Sequence, residues 1–203
     1  MKIQGLKNLN ITVLFSAPLN HLLISQVDIV KLFQVGNPQN DLFNLVEAPG
    51  LKVLTFPNQK KDIVFESTRL SVNDKSEVEI EKSSIVEDFE KAFNISAIDK
   101  SKVVAYGFNY DFLAELENGN PSDLVGEKIS KLPNITIKNV GINVSFEKDG
   151  LTHTLTLTPS AQPKVFLVHF NSHFSSSDVP SVVELKDQML VRFKEFKEIL
   201  KNL

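Results

Sequence analysis

The 203-residue chain contains no cysteine, and only two of its 22 basic residues, Arg69 and Arg192, are arginine. The missing cysteine excludes disulfides, thiolate catalysis, zinc knuckles and iron–sulfur clusters. Arginine is the side chain suited to bidentate phosphate and carboxylate clamps, so its scarcity argues against a protein built to grip nucleic acid or nucleotides. A net charge of −3 and a pI near 5.8 point the same way: no nucleic-acid partner is expected. No apolar run reaches the roughly 18 residues that a membrane helix needs. The N-terminal MKIQGLKNLN has no apolar segment of signal-peptide length. The expected location is therefore cytoplasmic, with no membrane partner. Four Asn-x-Ser/Thr triplets, at Asn10, Asn94, Asn134 and Asn143, then read as products of an asparagine-rich chain. No P-loop, dinucleotide glycine motif, G-x-S-x-G elbow or H-E-x-x-H is present, so no cofactor is expected.

What is present is ordinary globular composition, 42% hydrophobic and 23% charged, in a chain long enough for one large domain or two small ones. The pattern centres on Val103 to Leu116, which holds both tyrosines. Val104, Tyr106, Phe108, Tyr110 and Phe112 alternate with Val103, Ala105, Gly107, Asn109, Asp111 and Leu113. Period-2 spacing of this kind is a strand with its aromatic face on a core. Before it, Leu9 to Ala17 reads as a strand and Leu22 to Val35 as an ambiguous helical stripe. Asp41 to Glu47 fits a short strand or turn. Leu51–Phe56 and Asp62–Glu66 form a hairpin, followed by a strand from Arg69 to Val72. Ser84-Ile85-Val86-Glu87 has the form of a capping box opening a helix to about Asn94.

After the central strand, residues 119–134 carry Gly119, Pro121, Gly126 and Pro133 and read as a connecting loop between halves 1–118 and 135–203 of one compact unit. In the second half Asp149-Gly150 signals a two-residue hairpin turn. Pairing Lys148 with Leu151 places Phe146 opposite His153, Val144 opposite Leu155 and Ile142 opposite Leu157. Ile135 and Ile137 are out of phase with this strand, as a bulge near Asn139–Gly141 would explain. A five-residue turn from Pro159 to Pro163 then pairs Thr158 with Lys164 and sets His153 opposite His169. Ser181-Val182-Val183-Glu184 is a second capping box. It opens a long helix whose stripe of Val182, Leu185, Met189, Phe193, Phe196 and Leu200 should cover the meander. Glu184, Asp187, Lys194, Glu195 and Glu198 should face away from it. The expected fold is α+β, with antiparallel sheets in two loosely similar halves and the long C-terminal helix packed on a β-meander.

Few residues point to chemistry. A His153–His169 cross-strand pair would bring two imidazoles within reach of a shared metal or of mutual repulsion. His169-x-x-x-His173 spans about 13 Å if it is a strand, too far for one ion, so a sheet histidine and a loop histidine are expected. Asp111 shares a face with Glu115 and follows Asn109, a polar cluster at a strand end. Glu77, Glu79 and Glu81 alternate like an exposed edge strand or an extended loop. Tyr106 and Tyr110 either line a pocket between the halves or belong to the core. No catalytic, cofactor or metal residue is assigned. The polar candidates are His153, His169, Asn109, Asp111, Tyr106 and Tyr110.

Ala105-Tyr106-Gly107-Phe108-Asn109-Tyr110-Asp111-Phe112, with the order of elements around it, resembles a sporadically distributed family of uncharacterised bacterial proteins. Gly107 and Tyr110 match that family's strand motif. Its arginine positions hold Ala105 and Asn109, and its final asparagine position holds Phe112. The resemblance implies an accessory or mobile-element gene, such as a defence or toxin–antitoxin partner, and no known activity. The reading is of a non-enzymatic protein-binding or regulatory protein with a protein partner or as a homo-oligomer. The alternative is an enzyme or small-ligand binder with an aromatic-lined pocket between the halves.

Overall fold

The computed structural model describes residues 1–33, 43–119, 124 and 140–203. Among these residues nine strands form one antiparallel sheet: β1 (Lys2–Phe15), β2 (Asn44–Ala48), β3 (Leu51–Phe56), β4 (Lys61–Glu66), β5 (Arg69–Asp74), β6 (Val103–Glu115), β7 (Ile142–Lys148), β8 (Leu151–Pro159) and β9 (Val165–Phe174). Their order is β2-β3-β4-β5-β1-β6-β9-β8-β7. The two longest strands, β1 and β6, pair at the centre, and each carries a meander that returns to it, through β5 and β9 respectively. The fold is thus α+β, with α1 (Gln26–Phe33), α2 (Ile85–Phe93) and the long α3 (Val182–Lys201). The expected bulge near Asn139–Gly141 would rest on Ile135 and Ile137, which lie outside the described residues, as do most of 119–134.

Alternation explains which face the helices cover. Leu9, Ile11 and Val13 of β1 share a face with Tyr106, Phe108, Tyr110 and Phe112 of β6 and with Phe166, Val168 and Phe170 of β9, and all are buried. Helix α3 lies on this face. Phe196 stacks on Phe170 at 4.7 Å and on Phe112 at 5.2 Å, and Phe193 stacks on Tyr110 at 5.8 Å. Each such ring removed from water stabilises the fold by about 1.5–3 kcal/mol. The Ser181 capping box forms, with the Ser181 hydroxyl and Glu184 carboxylate exchanging bonds with each other's backbone amides. Glu195 does not face away: it is half-buried and ion-paired to Arg192 at 2.7 Å.

Two local expectations are corrected. Ser84 does not cap α2. Its hydroxyl instead accepts from Lys61 of β4 and donates to Asp88, because a tertiary partner outcompetes the local amide. The β8–β9 register is three residues from the expected one: Thr158 faces Leu167 and Leu155 faces Phe170. The turn is longer, with Pro159 still paired to Phe166 and Lys164 in the left-handed region at φ 62°. An odd shift exchanges faces, and it places Phe166 and Phe170 inside where Leu167 and His169 would have been. Of the two readings of the acidic stretch at Glu77–Glu81, edge strand or extended loop, the loop is the one observed. It runs as a loop into a short 3-10 turn (Ile80–Lys82), with Glu77 paired to Lys7 and Glu79 to Lys82.

Candidate functional site

No helix crosses the second face of the sheet among the described residues. That face carries Asn8, Asn10 and Thr12 of β1, Ser71 and Asn73 of β5, Asn109 and Asp111 of β6, and His169, Asn171 and His173 of β9. Register carries one row across the entire sheet: Asn44, Thr55, Asp62, Asn73, Asn10, Asn109, Asn171, Thr154 and Ser145, one residue per strand and every one polar. Asparagine is depleted in strands, so four adjacent asparagines in a central row are not what propensity would supply.

Their side chains are joined. Asn171 Nδ2 donates to Asn109 Oδ1 at 2.7 Å, Asn109 Nδ2 to Asn10 Oδ1 at 2.5 Å, and Asn10 Nδ2 to Asn73 Oδ1 at 2.9 Å. Asn10 also donates to the Val72 carbonyl and accepts from the Thr12 hydroxyl, so both its donors and both its acceptor positions are used. Register shifts in β1 at Ile3/Gly5 and Leu6/Asn8 bend the strand. The centre of the face is recessed: Asn10 and Ser71 are each only 7% exposed. A shallow trough of about 410 Å³ lies there, with Asn8, Asn10, Asn109, Asp111 and His169 among its walls.

At the trough's end His169 Nδ1 lies 2.7 Å from Asp111 Oδ1, and Asn8 Nδ2 donates to Asp111 Oδ2 at 3.0 Å. Burial pushes the Asp111 carboxyl up. The hydrogen bonds from His169 and Asn8, with the attraction of the imidazole, outweigh it and hold Asp111 below the ordinary carboxylate value. A carboxylate orienting an imidazole is two parts of a nucleophile-activating triad. Among the described residues no hydroxyl is hydrogen-bonded to the other nitrogen of His169.

The structure separates the two histidines expected to pair. His153 faces Ser172 and lies under α3; His169 faces Thr156 on the opposite, open side. His153 is 1% exposed, its ring between Phe146 and Phe170 at 5.2 and 5.5 Å, with Nδ1 sharing a hydrogen bond with Ser172 Oγ at 3.0 Å. Burial, then the nearby Arg192, lower its pKa below the usual 6.5, outweighing Glu195 and the Lys148 backbone. His173 is not in a loop but on β9, opposite Gly107 and Thr152. Tyr106 and Tyr110 are in the core. Tyr110 donates to the Met189 carbonyl at 2.7 Å, and Tyr106 to Gln188 Oε1 at 3.0 Å. Burial raises both phenol pKa values. Asp111 and Glu115 do not meet; Glu115 accepts from Gln4. Asn109 and Asp111 belong to two neighbouring networks: Asn109 joins Asn171, Asn10 and Asn73, and Asp111 joins Asn8 and His169; Asn8, Asn10, Asn73 and Asn171 were not among the expected residues. Their signal was an asparagine at the polar phase of each strand.

A smaller pocket of about 190 Å³ sits beside Lys61, Ser84 and Asp88, with Phe33 and Phe56 in its wall. Asp88 pairs with Lys61 at 2.6 Å, and the Ser84 hydroxyl is hydrogen-bonded to both. Among the described residues no three of His, Asp and Glu converge as metal ligands, and no helix is long and apolar enough to cross a membrane. No protein-family model matches the chain, and no curated protein matches it.

Proposed function

We propose that this chain is a non-enzymatic protein-binding or regulatory protein, and that the open face of its sheet meets the partner. The observation that supports this reading is the segregation of the two faces. The described helices and the buried aromatic core lie on one side, while the centre of the other, flanked by Val46, Val53 and Val64 and by Leu113 and Leu167, presents an ordered, hydrogen-bonded polar surface. An antiparallel sheet tolerates one solvated face with scattered polar groups. Here the groups are aligned by register and locked to one another, so the surface is preorganised and a partner meets little cost in ordering it. The alternative, a ligand pocket lined by the aromatic face, has less support. Those rings pack against α3, and the tyrosine hydroxyls are engaged at Gln188 and Met189.

Size-exclusion chromatography with light scattering, together with retention of host proteins on the immobilised chain, tests the proposal. Retention of a defined partner, or formation of a defined oligomer, is expected to weaken when Asn171 is replaced. A strictly monomeric chain that retains nothing overturns the reading.

A further inference from the structure

We propose that the asparagine row is a strip for an extended, uncharged polar segment of another polypeptide; this rests on the open-face reading above. The first argument is a count of free valences. Asn10 is saturated and serves as the anchor. Asn109 uses one N–H and one acceptor position, and Asn171 uses one N–H. Each therefore keeps at least one donor and one acceptor, the same pair of functions that a peptide group carries. A ligand with both functions on every repeat fits this better than one that only donates or only accepts.

The second argument is charge. The row itself holds a single ionised group, Asp62, and it is paired with Lys75 at 2.5 Å. A charged segment would have to leave its hydration shell without finding a free counter-charge along the row. The third is the absence of any phenylalanine or tyrosine from the row, which leaves a ring-shaped ligand no aromatic platform to stack on. These features together favour a polar, uncharged polypeptide over a glycan.

Length and spacing set the kind of recognition. Nine strands about 4.8 Å apart make a strip of about 38 Å, which an extended segment of about 12 residues spans at about 3.3 Å per residue. The two repeats do not coincide. Contacts are therefore made by whichever groups fall within reach, and the strip reads polarity rather than a fixed sequence.

The test is fluorescence anisotropy with the full chain and labelled twelve-residue peptides. One peptide is composed of Ser, Thr, Asn, Gln and Gly. Others of equal length carry interspersed Lys, interspersed Glu, or mostly Leu and Val, and an unlabelled neutral oligosaccharide is the competitor. Saturable binding of the uncharged polar peptide alone is expected, weakened about 5-fold by Asn171→Leu. Thr154→Val, isosteric and in the same row, is expected to weaken it in the same direction and keeps the test valid should the first variant fail to fold. Equal binding of charged peptides, preference for the apolar one, or displacement by the oligosaccharide overturns the inference. If no peptide binds, yet a retained partner cross-links through this face, the inference fails and the open-face reading stands. If the partner cross-links only elsewhere, both fail.

Discussion

Replacing Gly107 with alanine adds one methyl group at the centre of the sheet, and the structure says where it goes. A Cβ built there lies 2.7 Å from the Ser172 carbonyl oxygen and 3.7 Å from His173 Cα, both backbone atoms of the neighbouring strand β9. Backbone held in a ladder cannot rotate away as a side chain would, so β6 and β9 must move apart. Overpacking of this kind costs about 1–3 kcal/mol. Against it stands the reduced freedom of the unfolded chain when glycine becomes alanine, about 0.4–1 kcal/mol of stabilisation. The net expectation is a loss of about 1–2 kcal/mol. For a chain of this length that corresponds to a fall in Tm of about 2–8 °C. Gly5→Ala is the control, because a Cβ at Gly5 meets nothing within 4 Å. Urea and thermal melts followed by circular dichroism, with coincident far- and near-ultraviolet transitions, measure both. Gly107→Ala should melt below the wild type and Gly5→Ala at or above it. A Gly107→Ala protein as stable as the wild type would refute the claimed close approach of the two strands.

Three further outcomes follow from particular contacts. His153 has a folded pKa below 6.5, so the unfolded chain binds its proton more readily: the stability tied to a neutral ring is full above about pH 6.5 and declines as pH falls towards the folded value. Urea midpoints across that range, with His153→Phe showing a flatter profile, check this; Arg192, Glu195 and Lys148 surround the ring and should make the slope salt-sensitive. Tyr110→Phe removes one buried hydrogen bond to the Met189 carbonyl and keeps the ring packing, so chemical denaturation should show a loss of about 0.5–1.5 kcal/mol. Ser181→Ala removes the cap of α3 at a cost of about 1 kcal/mol, visible in the same assay.

The sequence was legible where neighbours in the chain are neighbours in space. Asp149 and Gly150 both take positive φ, 53° and 75°, and the β7–β8 register follows from that turn. Alternation in Val103–Glu115 and the stripe of α3 identified the core face, since each depends only on local period. Legibility ended where a distant partner decides. Ser84 has a sound local capping pattern, yet Lys61 of another strand takes its hydroxyl. The β8–β9 turn holds Lys164 in a left-handed conformation that no glycine or asparagine announced. The asparagine row needs β1 beside β6, a pairing across about a hundred residues, so Asn10 and Asn109 could each be read as polar strand positions but not as hydrogen-bonded neighbours.

The central claim is that a polypeptide partner meets the open face. A photo-crosslinking side chain placed at Thr152, exposed on that face, and separately at Lys194, exposed on α3, tests it most directly in host extract. A defined protein adduct from position 152, lost with Asn171→Leu and absent from position 194, is the predicted result. An adduct from position 194 alone would contradict it.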